Sequence, residues 1–312
     1  MRTAVTGGAG FIGHHLVNGL LARGHQVRVV DDFSTGERTR LAPVRDRIEL
    51  IEASILDPAA LDEAFAGCEV VFHEAAIASV ARSLAEPGLS NDVNATGTIE
   101  VMLAAARRGV RRVVFAGSSA VYGVSEESPS HEGQRASPRS PYGVSKLAAE
   151  HYVHTLGELH GVETVALRYF NVYGPGQDPA SEYAAVVPRF ITAVLKGQRP
   201  TINGDGAISR DFVYVDDVVE ANLLASLRSS PSTLTCNVAA GSQCSLLELL
   251  KTICDVAGIQ VPPVFAPPRQ GDIRHSQADI SLARQALGYR ASVALGDGIS
   301  RTIAWYRDRS CP

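Results

Sequence analysis

The chain opens with a short apolar strand, a glycine-rich turn and an amphipathic helix. "TAVTG" (3–7) has the composition of a buried strand, and "FIGHHLVNGLLARG" (11–24) has helical spacing and closes at a glycine. Between them, Gly7, Gly10 and Gly13 suit a tight turn in which the backbone can approach a pyrophosphate at the helix N-terminus. The opening therefore predicts a dinucleotide site at the start of a parallel sheet.

Strand-like and helix-like segments alternate through the first half of the chain. The strands are continuous runs of valine, isoleucine and phenylalanine, at 26–32, 69–76, 111–119 and 163–171. We predict an α/β fold with a Rossmann-type doubly wound parallel sheet. Residues 1–170 are expected to form the dinucleotide-binding Rossmann domain. Residues 171–312 are expected to form mainly a smaller α/β substrate domain, with some chain crossing back.

The composition is that of a soluble enzyme. A formal net charge of −4 and the absence of a long lysine and arginine run argue against a nucleic-acid partner. We find no signal peptide and no apolar stretch long enough to span a membrane. The five cysteines are odd in number and include no CxxC pair, so we expect no metal site and reduced thiols in a cytoplasm.

A second predicted strand ends in Asp31 and Asp32, about 20 residues after the glycines. A carboxylate there can accept hydrogen bonds from both ribose hydroxyls and repels a 2′-phosphate, so NAD is favoured over NADP. Arg38 keeps NADP open, because a nearby arginine can accommodate that phosphate. The small and polar residues next to the adenosine are predicted to be Ser34, Thr35 and Gly36.

A candidate proton-transfer site lies in "AGSSAVYG" (116–123) and "SPYGVSK" (140–146). Tyr142 and Lys146 are one helical turn apart, so both side chains lie on one face. An ammonium beside a phenol stabilises phenolate, so we expect Lys146 to lower the pKa of Tyr142. Ser118 precedes Tyr142 by 24 residues and completes the candidate set.

The sequence resembles the extended short-chain dehydrogenase/reductase family over essentially its whole length, and within it the nucleotide-sugar 4-epimerases. The resemblance rests on Gly7-x-x-Gly10-x-x-Gly13, Asp31, Asn94, "SSAVYG", Tyr142-x-x-x-Lys146 and "RYFNVYGP". It implies that Tyr142 takes the proton of the sugar 4-hydroxyl, Ser118 bonds the same oxygen, and Lys146 binds the nicotinamide ribose. It also implies transient oxidation to a 4-keto sugar with hydride return, so that tightly bound NAD is regenerated in each turnover.

The resemblance implies further binding residues. For the cofactor they are Phe11, Ile12, Ser54, Ile55, Ala75, Ala76, Asn94 and Tyr169. For the substrate they are Ser79, Arg82, Ser119 and Val187, with Asn171, Arg210 and Arg269 on the diphosphate, Asp272 on the uridine ribose, and Thr201 and Asn203 near uracil. The chain departs from the family at Ser54, which stands where an aspartate usually meets adenine, at Glu74, where an apolar residue is usual, and at Gly176, which replaces a frequent arginine.

Several positions bear on which reaction and sugar the chain serves. Related dehydratases and decarboxylases carry carboxylates where this chain has Ser119 and Ala120, so epimerisation is the expected reaction. Ser276 stands where hexose-only relatives carry a tyrosine, which leaves room for a 2-acetamido group. Asp178 would repel a uronate carboxylate.

We therefore predict a 4-epimerase of UDP-hexoses that accepts UDP-GlcNAc and UDP-GalNAc as well as UDP-Glc and UDP-Gal. A nucleotide-sugar 4-ketoreductase, a dehydratase on a related sugar nucleotide, a catalytically silent NAD(P)-sensing protein and a TDP-sugar substrate remain alternatives. The family also implies a homodimer formed through the helices near 95–109 and 142–161.

Overall fold

The computed structural model describes residues 1–124, 128–178, 185–230, 233–268 and 274–310. In the first half, strands and helices follow in the order β1 (Arg2–Thr6), α1 (Phe11–Ala22), β2 (Gln26–Val30), α2 (Arg38–Leu41), β3 (Ile48–Ile51), α3 (Pro58–Phe65), β4 (Val70–His73), α4 (Val80–Ala85), α5 (Pro87–Asn91), α6 (Gly97–Arg107), β5 (Arg112–Ser118), α7 (Pro141–His160) and β6 (Glu163–Tyr169).

The second half contains shorter strands and four longer helices. Its elements are β7 (Asn171–Tyr173), α8 (Val186–Leu195), β8 (Thr201–Asn203), β9 (Ser209–Arg210), β10 (Phe212–Tyr214), α9 (Val215–Leu227), β11 (Leu234–Val238), β12 (Cys244–Ser245), α10 (Leu246–Ala257), β13 (Val264–Ala266), α11 (Ser281–Leu287) and α12 (Leu295–Ser310). Among the helices described, none is both long and apolar enough to cross a bilayer.

A seven-stranded parallel sheet in the order β11-β6-β5-β4-β1-β2-β3 forms the centre of the molecule. The register places Thr6 opposite both Val30 and His73, and Ser118 opposite Tyr169. The carboxyl ends of these strands therefore meet at one edge, where the order reverses beside β1 and where ligands bind in open α/β sheets. The predicted Rossmann-type sheet is confirmed.

Helices cover both faces of the sheet because its strands are apolar on both sides. Leu16 and Leu20 of α1 share one core with Val218 and Leu223 of α9. On the other face, helices α3, α6 and α7 form a second core with the sheet, in which Phe65 and other large side chains are fully buried. The two cores hold the loops at the carboxyl edge in place.

The C-terminal half has a core of its own. Helices α8, α10 and α12 pack around the strand pairs β7–β10, β8–β13 and β9–β12. As the spacing in the last helix predicts, Ile299, Ile303 and Tyr306 are buried together. The chain also returns to the large sheet, since β11 pairs in parallel with β6. The division into domains at residue 170 stays a prediction.

One predicted strand is split in two. The sequence predicts a single strand over 163–171, but β6 ends at Tyr169 and β7 begins at Asn171 in another sheet. The cause is a change of partner. The backbone NH of Phe170 still bonds Val238 O (3.0 Å), whereas that of Asn171 bonds Asp211 O (3.1 Å).

Candidate functional site

The turn after β1 accepts only glycine at two positions. Gly7 has φ +69°, and a Cβ there would lie 2.6 Å from the backbone N of Ala75. A Cβ on Gly13 would lie 2.1 Å from Gly7 O. Helix α1 therefore starts directly against the turn, and its cap residue Gly10 offers no side-chain acceptor to the first-turn amides. These amides suit a pyrophosphate, and the glycines leave the space it needs.

Asp31 lies at the carboxyl end of β2 with a buried carboxylate. Its Oδ2 accepts from Ala9 N (2.8 Å) and its Oδ1 from Phe33 N (2.9 Å). Burial raises the pKa of Asp31, and these two backbone bonds oppose the rise. Each oxygen keeps a lone pair with which a ribose hydroxyl could bond. Asp32 is exposed and accepts from Ser34 N (2.9 Å) in a local turn.

Arg38 interacts with groups other than Asp31 and Asp32, the two carboxylates that follow β2. Its guanidinium stacks on the Phe33 ring, 3.9 Å from the centroid, and forms an ion pair with Glu52. A 2′-phosphate would have to compete with Glu52 for this cation. The arrangement suits NAD better than NADP.

A groove runs along the carboxyl edge of β1, β2 and β4. Predicted cofactor residues on its walls are Gly7, Gly10, Asp31, Asp32, Ser34, Thr35, Ile55, Ala75 and Ala76. Sequence reasoning did not assign the remaining wall residues, which are Val30, Ala53, Glu74, Ile77 and Val93. Phe11, Ile12, Gly13, Gly36 and Ser54 are not among the wall residues, so their cofactor contacts stay predictions, and Ser54 Oγ accepts from Leu56 N (3.2 Å) in a local turn.

Asn94 braces this wall against α7. Its Oδ1 accepts from Ile77 N (2.8 Å), and its Nδ2 donates to Ile77 O (3.3 Å) and to Ser145 Oγ (3.0 Å). Both amide hydrogens are thus used on the protein. The predicted contact of Asn94 with a cofactor would have to use the second lone pair of Oδ1.

The three predicted proton-transfer residues come together at the end of β5 and the start of α7. Ser140 caps α7 by accepting from Gly143 N (3.1 Å), which fixes Tyr142 in the first turn. Ser118 Oγ accepts from Ala120 N (3.2 Å), so its proton is free for the hydrogen bond that joins Ser118 to the Tyr142 phenol. Lys146 follows one turn later, buried, with Nζ 4.4 Å from the Phe115 ring centroid.

The pKa values of this set differ from the sequence-based expectation. Burial raises the pKa of Tyr142, and the bond with Ser118 opposes the rise. The predicted lowering by Lys146 is wrong for the protein's own groups. The pKa of Lys146 is itself lowered to about 8 by burial, which Glu74 and Glu150 oppose. A lysine poised near neutral pH is a weaker stabiliser of phenolate than a permanent cation.

Tyr169, predicted to bind cofactor, is part of a buried polar chain. Its hydroxyl donates to Glu74 Oε1 (2.8 Å) and accepts from Asn222 Nδ2 (2.7 Å). Burial raises the pKa of Glu74 to about 7, while Tyr169 and Lys146 act in the opposite direction. Neither Glu74 nor Asn222 was assigned to the site from the sequence. The only signal was the unusual acid in "HEAA" (73–76).

The predicted substrate residues lie in the segments after β4 and β5 and in the C-terminal half. Ser79 caps α4 by accepting from Arg82 N (3.1 Å), and Arg82 Nε pairs with Glu86 (2.9 Å). Asn171 Nδ2 donates to Asp211 O (3.2 Å). The Val187 side chain lies in the C-terminal core, so only its backbone could reach a ligand. Ser119 begins the turn after β5.

The strand β9 brings two more of these residues together. Arg210 belongs to β9, and Ser276 N donates to Ser209 O (3.2 Å) in the same strand. Thr201 and Asn203 bound β8, and Asn203 pairs with Ala266 of β13. Arg269 and Asp272 lie outside the described residues, so their predicted roles stay predictions.

An open pocket of about 710 Å³ lies beside β8 and β13. Apolar side chains and one ion pair line it, the latter joining Arg274 to Asp205 at 3.6 Å. The pocket continues directly from the predicted uracil segment, since Gly204 N donates to Ala266 O (2.8 Å). Its wall residues are Gly204, Asp205, Ile208, Phe265, Ala266, Pro268 and Arg274, none of which the sequence analysis assigned.

The fold, the glycine turn and Asp31 define a dinucleotide-dependent α/β enzyme. Residues 3–239 match the model of the NAD dependent epimerase/dehydratase family, and the chain belongs to that family. It is 41% identical to a UDP-glucose 4-epimerase of Mycolicibacterium smegmatis, over 99% of this chain and 100% of that protein. The protein is therefore an NAD-dependent epimerase.

Two solved structures have closely similar folds. The UDP-glucose 4-epimerase of Thermus thermophilus, in complex with NAD, has a TM-score of 0.89 and 38% identity, covering 98% of this chain and 99% of that one. The UDP-N-acetylglucosamine 4-epimerase of Methanobrevibacter ruminantium, in complex with UDP-N-acetylmuramic acid, has a TM-score of 0.94 and 36% identity, covering 99% and 98%.

Proposed function

We propose that the protein interconverts the C4 epimers of UDP-hexoses, accepting UDP-GlcNAc and UDP-GalNAc as well as UDP-Glc and UDP-Gal. The observation that carries the proposal is the meeting of Ser118, Tyr142 and Lys146 beside the nucleotide groove. Such a set can move the proton of a sugar hydroxyl while the neighbouring carbon is oxidised. Bound NAD supplies this reversible oxidation at C4.

Each residue of the set has a separate task. Tyr142 would take the proton from the 4-hydroxyl and return it after the 4-keto sugar has presented its other face. Ser118 would donate a hydrogen bond to the same oxygen and orient it. Its Oγ accepts from Ala120 N, so its own proton remains available as a donor. Lys146 would bind the nicotinamide ribose and stabilise the phenolate as an ammonium.

Epimerisation rather than elimination is supported by the turn after β5. Elimination of water from C5 and C6 needs an acid and a base, and decarboxylating relatives use a glutamate at the same place. Here Ser119 and Ala120 occupy those positions, and neither can exchange a proton near neutral pH. The 4-keto sugar would therefore be reduced again without a side reaction.

The substrate assignment rests on the C-terminal half. Phe265 and Ile208 in the open pocket offer an apolar surface to a flat base, and Arg210 would bind the diphosphate with its planar fork. The backbone NH of Ser276 donates to Ser209 O (3.2 Å), next to Arg210, and the serine side chain is smaller than the tyrosine that the resemblance assigns to hexose-only relatives at this position. The M. ruminantium structure, whose protein is named for UDP-N-acetylglucosamine, supports the acetamido group.

We further propose that the protein is a cytoplasmic homodimer formed through α6 and α7. On α7, Val144, Tyr152 and Leu159 recur at helical spacing, and they remain 52%, 43% and 71% exposed. Ile99 and Leu103 of α6 are also only partly buried. Pairing with a second copy would cover this apolar face. Sedimentation at micromolar concentration tests the dimer, and a monomer would contradict it.

The direct test of function is to incubate the purified protein with UDP-GlcNAc and no added cofactor, following the anomeric protons by NMR. We expect UDP-GalNAc to appear up to a fixed equilibrium ratio. A Tyr142→Phe variant should keep bound NAD and lose turnover. Turnover of UDP-Glc alone would overturn the acetamido assignment, and stoichiometric conversion of added NAD to NADH with a 4-keto sugar as product would instead indicate a 4-ketoreductase running in reverse.

A further inference from the structure

Two separate elements carry the proton-transfer residues. Ser118 ends β5 and leads into the turn at 119–122, whereas Tyr142 lies in the first turn of α7. The turn and the helix pack closely, because a Cβ added to Gly143 would lie 2.7 Å from Ala120 O. Apolar packing is non-directional, so directional bonds are needed to fix the position of one element along the other. A group that is bonded to both elements therefore influences where Ser118 meets Tyr142.

Arg168 of β6 is bonded to both elements. Its Nε and Nη2 donate to the two carboxylate oxygens of Glu150 on α7, at 2.9 and 2.6 Å. Its Nη1 donates to the hydroxyl of Tyr122 at the end of the turn (3.0 Å), and the guanidinium carbon lies 5.0 Å from the centroid of the Tyr122 ring. All three side chains are buried. The planar guanidinium, with two bonds to one carboxylate and a third to the hydroxyl, holds these groups in a fixed geometry.

Asn237 holds the same hydroxyl from the other side. Its Nδ2 hydrogens are used on Ser130 O and Asp279 O, both at 3.0 Å, so its Oδ1 is the acceptor. Tyr122 therefore donates its proton to this Oδ1 (2.6 Å) and accepts from Arg168. Asn237 belongs to β11 and is fully buried. The end of the turn is thus fixed between two neighbouring strands of the central sheet, β6 and β11.

Both ends of these bonds lie close in the chain to the proton-transfer residues. Tyr122 follows Ser118 by four residues, and Glu150 follows Lys146 by one helical turn. A buried ion pair is weak evidence for stability, because both charges lose their hydration. What distinguishes this pair is therefore its location between the two elements.

We propose that Arg168 and Tyr122 are positioning residues that fix the turn after β5 against α7, so that Ser118 and Tyr142 reach the same sugar oxygen. The proposal rests on the proposed function, because this placement matters only where the two residues share a sugar hydroxyl. Arg168 and Tyr122 act through the groups to which they are bonded, and neither needs to touch the substrate. A catalytic group that is misplaced by about 1 Å can lower the rate by about 100-fold.

Tyr122→Phe removes the hydroxyl that joins Arg168 to Asn237 and keeps the ring. We expect this variant to be purified with its NAD, and its kcat for the UDP-sugar to fall by about 10- to 100-fold while KM stays unchanged. Tyr289→Phe is the matched control. Tyr289 is also fully buried, and its hydroxyl donates to Ala239 O (2.9 Å) in the loop after β11, so its loss should leave kcat unchanged.

A double-mutant cycle tests whether the two side chains act together. Arg168→Lys keeps a cation beside Glu150, but an ammonium cannot supply the planar fork that reaches Glu150 and Tyr122 at once. It should therefore lower kcat as Tyr122→Phe does. Because both substitutions remove the same contact, the double variant should lose little more than either single variant. A loss equal to the product of the two single losses would show that Arg168 and Tyr122 act independently and would overturn the proposal.

Amide hydrogen exchange of the NAD-containing protein, measured by mass spectrometry without any UDP-sugar, provides a readout that does not depend on turnover. Peptides that cover residues 118–124 and 141–150 should exchange faster in Tyr122→Phe and not in Tyr289→Phe. Unchanged exchange in these peptides, faster exchange with an unaltered kcat, or an equal loss of kcat in Tyr289→Phe would overturn the proposal. Faster exchange in Tyr122→Phe, when the wild-type protein turns over no UDP-sugar, would support the connection between the turn and the helix and overturn the proposed function instead.

Discussion

The substitution Gly13→Ala tests how closely the glycine turn is fitted to the cofactor. The new Cβ would lie 2.1 Å from Gly7 O and 2.8 Å from the Cα of Gly8, and these are backbone atoms that cannot rotate away. Real Cβ contacts start near 3 Å, so helix α1 and the turn must separate by roughly 1 Å, at a cost of about 1–3 kcal/mol. The same movement takes the first-turn amides away from the pyrophosphate position.

The assay has two parts. NAD released by acid from the purified protein should fall from near one equivalent to a small fraction, and urea unfolding should show the loss of stability. Gly296→Ala in α12 is the control, because its Cβ meets nothing within 4 Å and alanine favours a helix by about 0.5–1 kcal/mol. Full NAD content and unchanged stability in Gly13→Ala would mean that the turn tolerates a side chain at this position, against the expectation.

Three further substitutions test other parts of the site. Glu150→Gln leaves the buried Arg168 unpaired and should lower the free energy of unfolding by about 3–5 kcal/mol. Lys251→Ala removes an exposed ion pair and should change the free energy of unfolding by under about 0.5 kcal/mol. Equal effects of the two substitutions in urea unfolding would contradict this expectation. Folding raises the pKa of Glu74 from 4.5 to about 7, so between these pH values the native state holds a proton on Glu74 that the unfolded state has lost. The free energy of unfolding therefore falls as pH rises from 4.5 to 7. Glu74→Gln should therefore be more stable than wild type by about 1–2 kcal/mol at pH 8, after a discount for partial exposure, and lose that advantage at pH 4.5; the opposite trend in urea unfolding would be inconsistent with the burial of this acid. Ser276→Tyr should lower kcat/KM for UDP-GlcNAc at least tenfold relative to UDP-Glc, and equal losses on both sugars would argue against an acetamido pocket at this position.

Much of the fold and part of the site could be predicted from local sequence. The glycines, Asp31 and the Tyr142–Lys146 pair are defined by short spacings beside a strand or along one helix, and such spacings fix geometry without tertiary information. Five strands of the seven-stranded sheet, β1, β2, β4, β5 and β6, follow in the same way from continuous apolar runs, whereas β3 and β11 were not predicted. These predictions depend on neighbours in the chain.

What the sequence could not provide depends on distant contacts. The chain Asn222→Tyr169→Glu74 joins α9, β6 and the loop after β4, which are 53 and 95 residues apart in sequence. The raised pKa of Tyr142 comes from burial by the folded chain, and spacing alone pointed the other way. The end of β6 at Tyr169 likewise depends on which strand offers the next backbone acceptor.

Epimerisation through bound NAD is tested most directly with UDP-GlcNAc that carries deuterium at C4, incubated with the protein in ordinary water without added cofactor. UDP-GalNAc should form with the deuterium retained at C4, because the atom removed in the oxidation is the one returned. Product that carries solvent hydrogen at C4 would mean that the inversion proceeds by proton exchange with water and not through bound NAD.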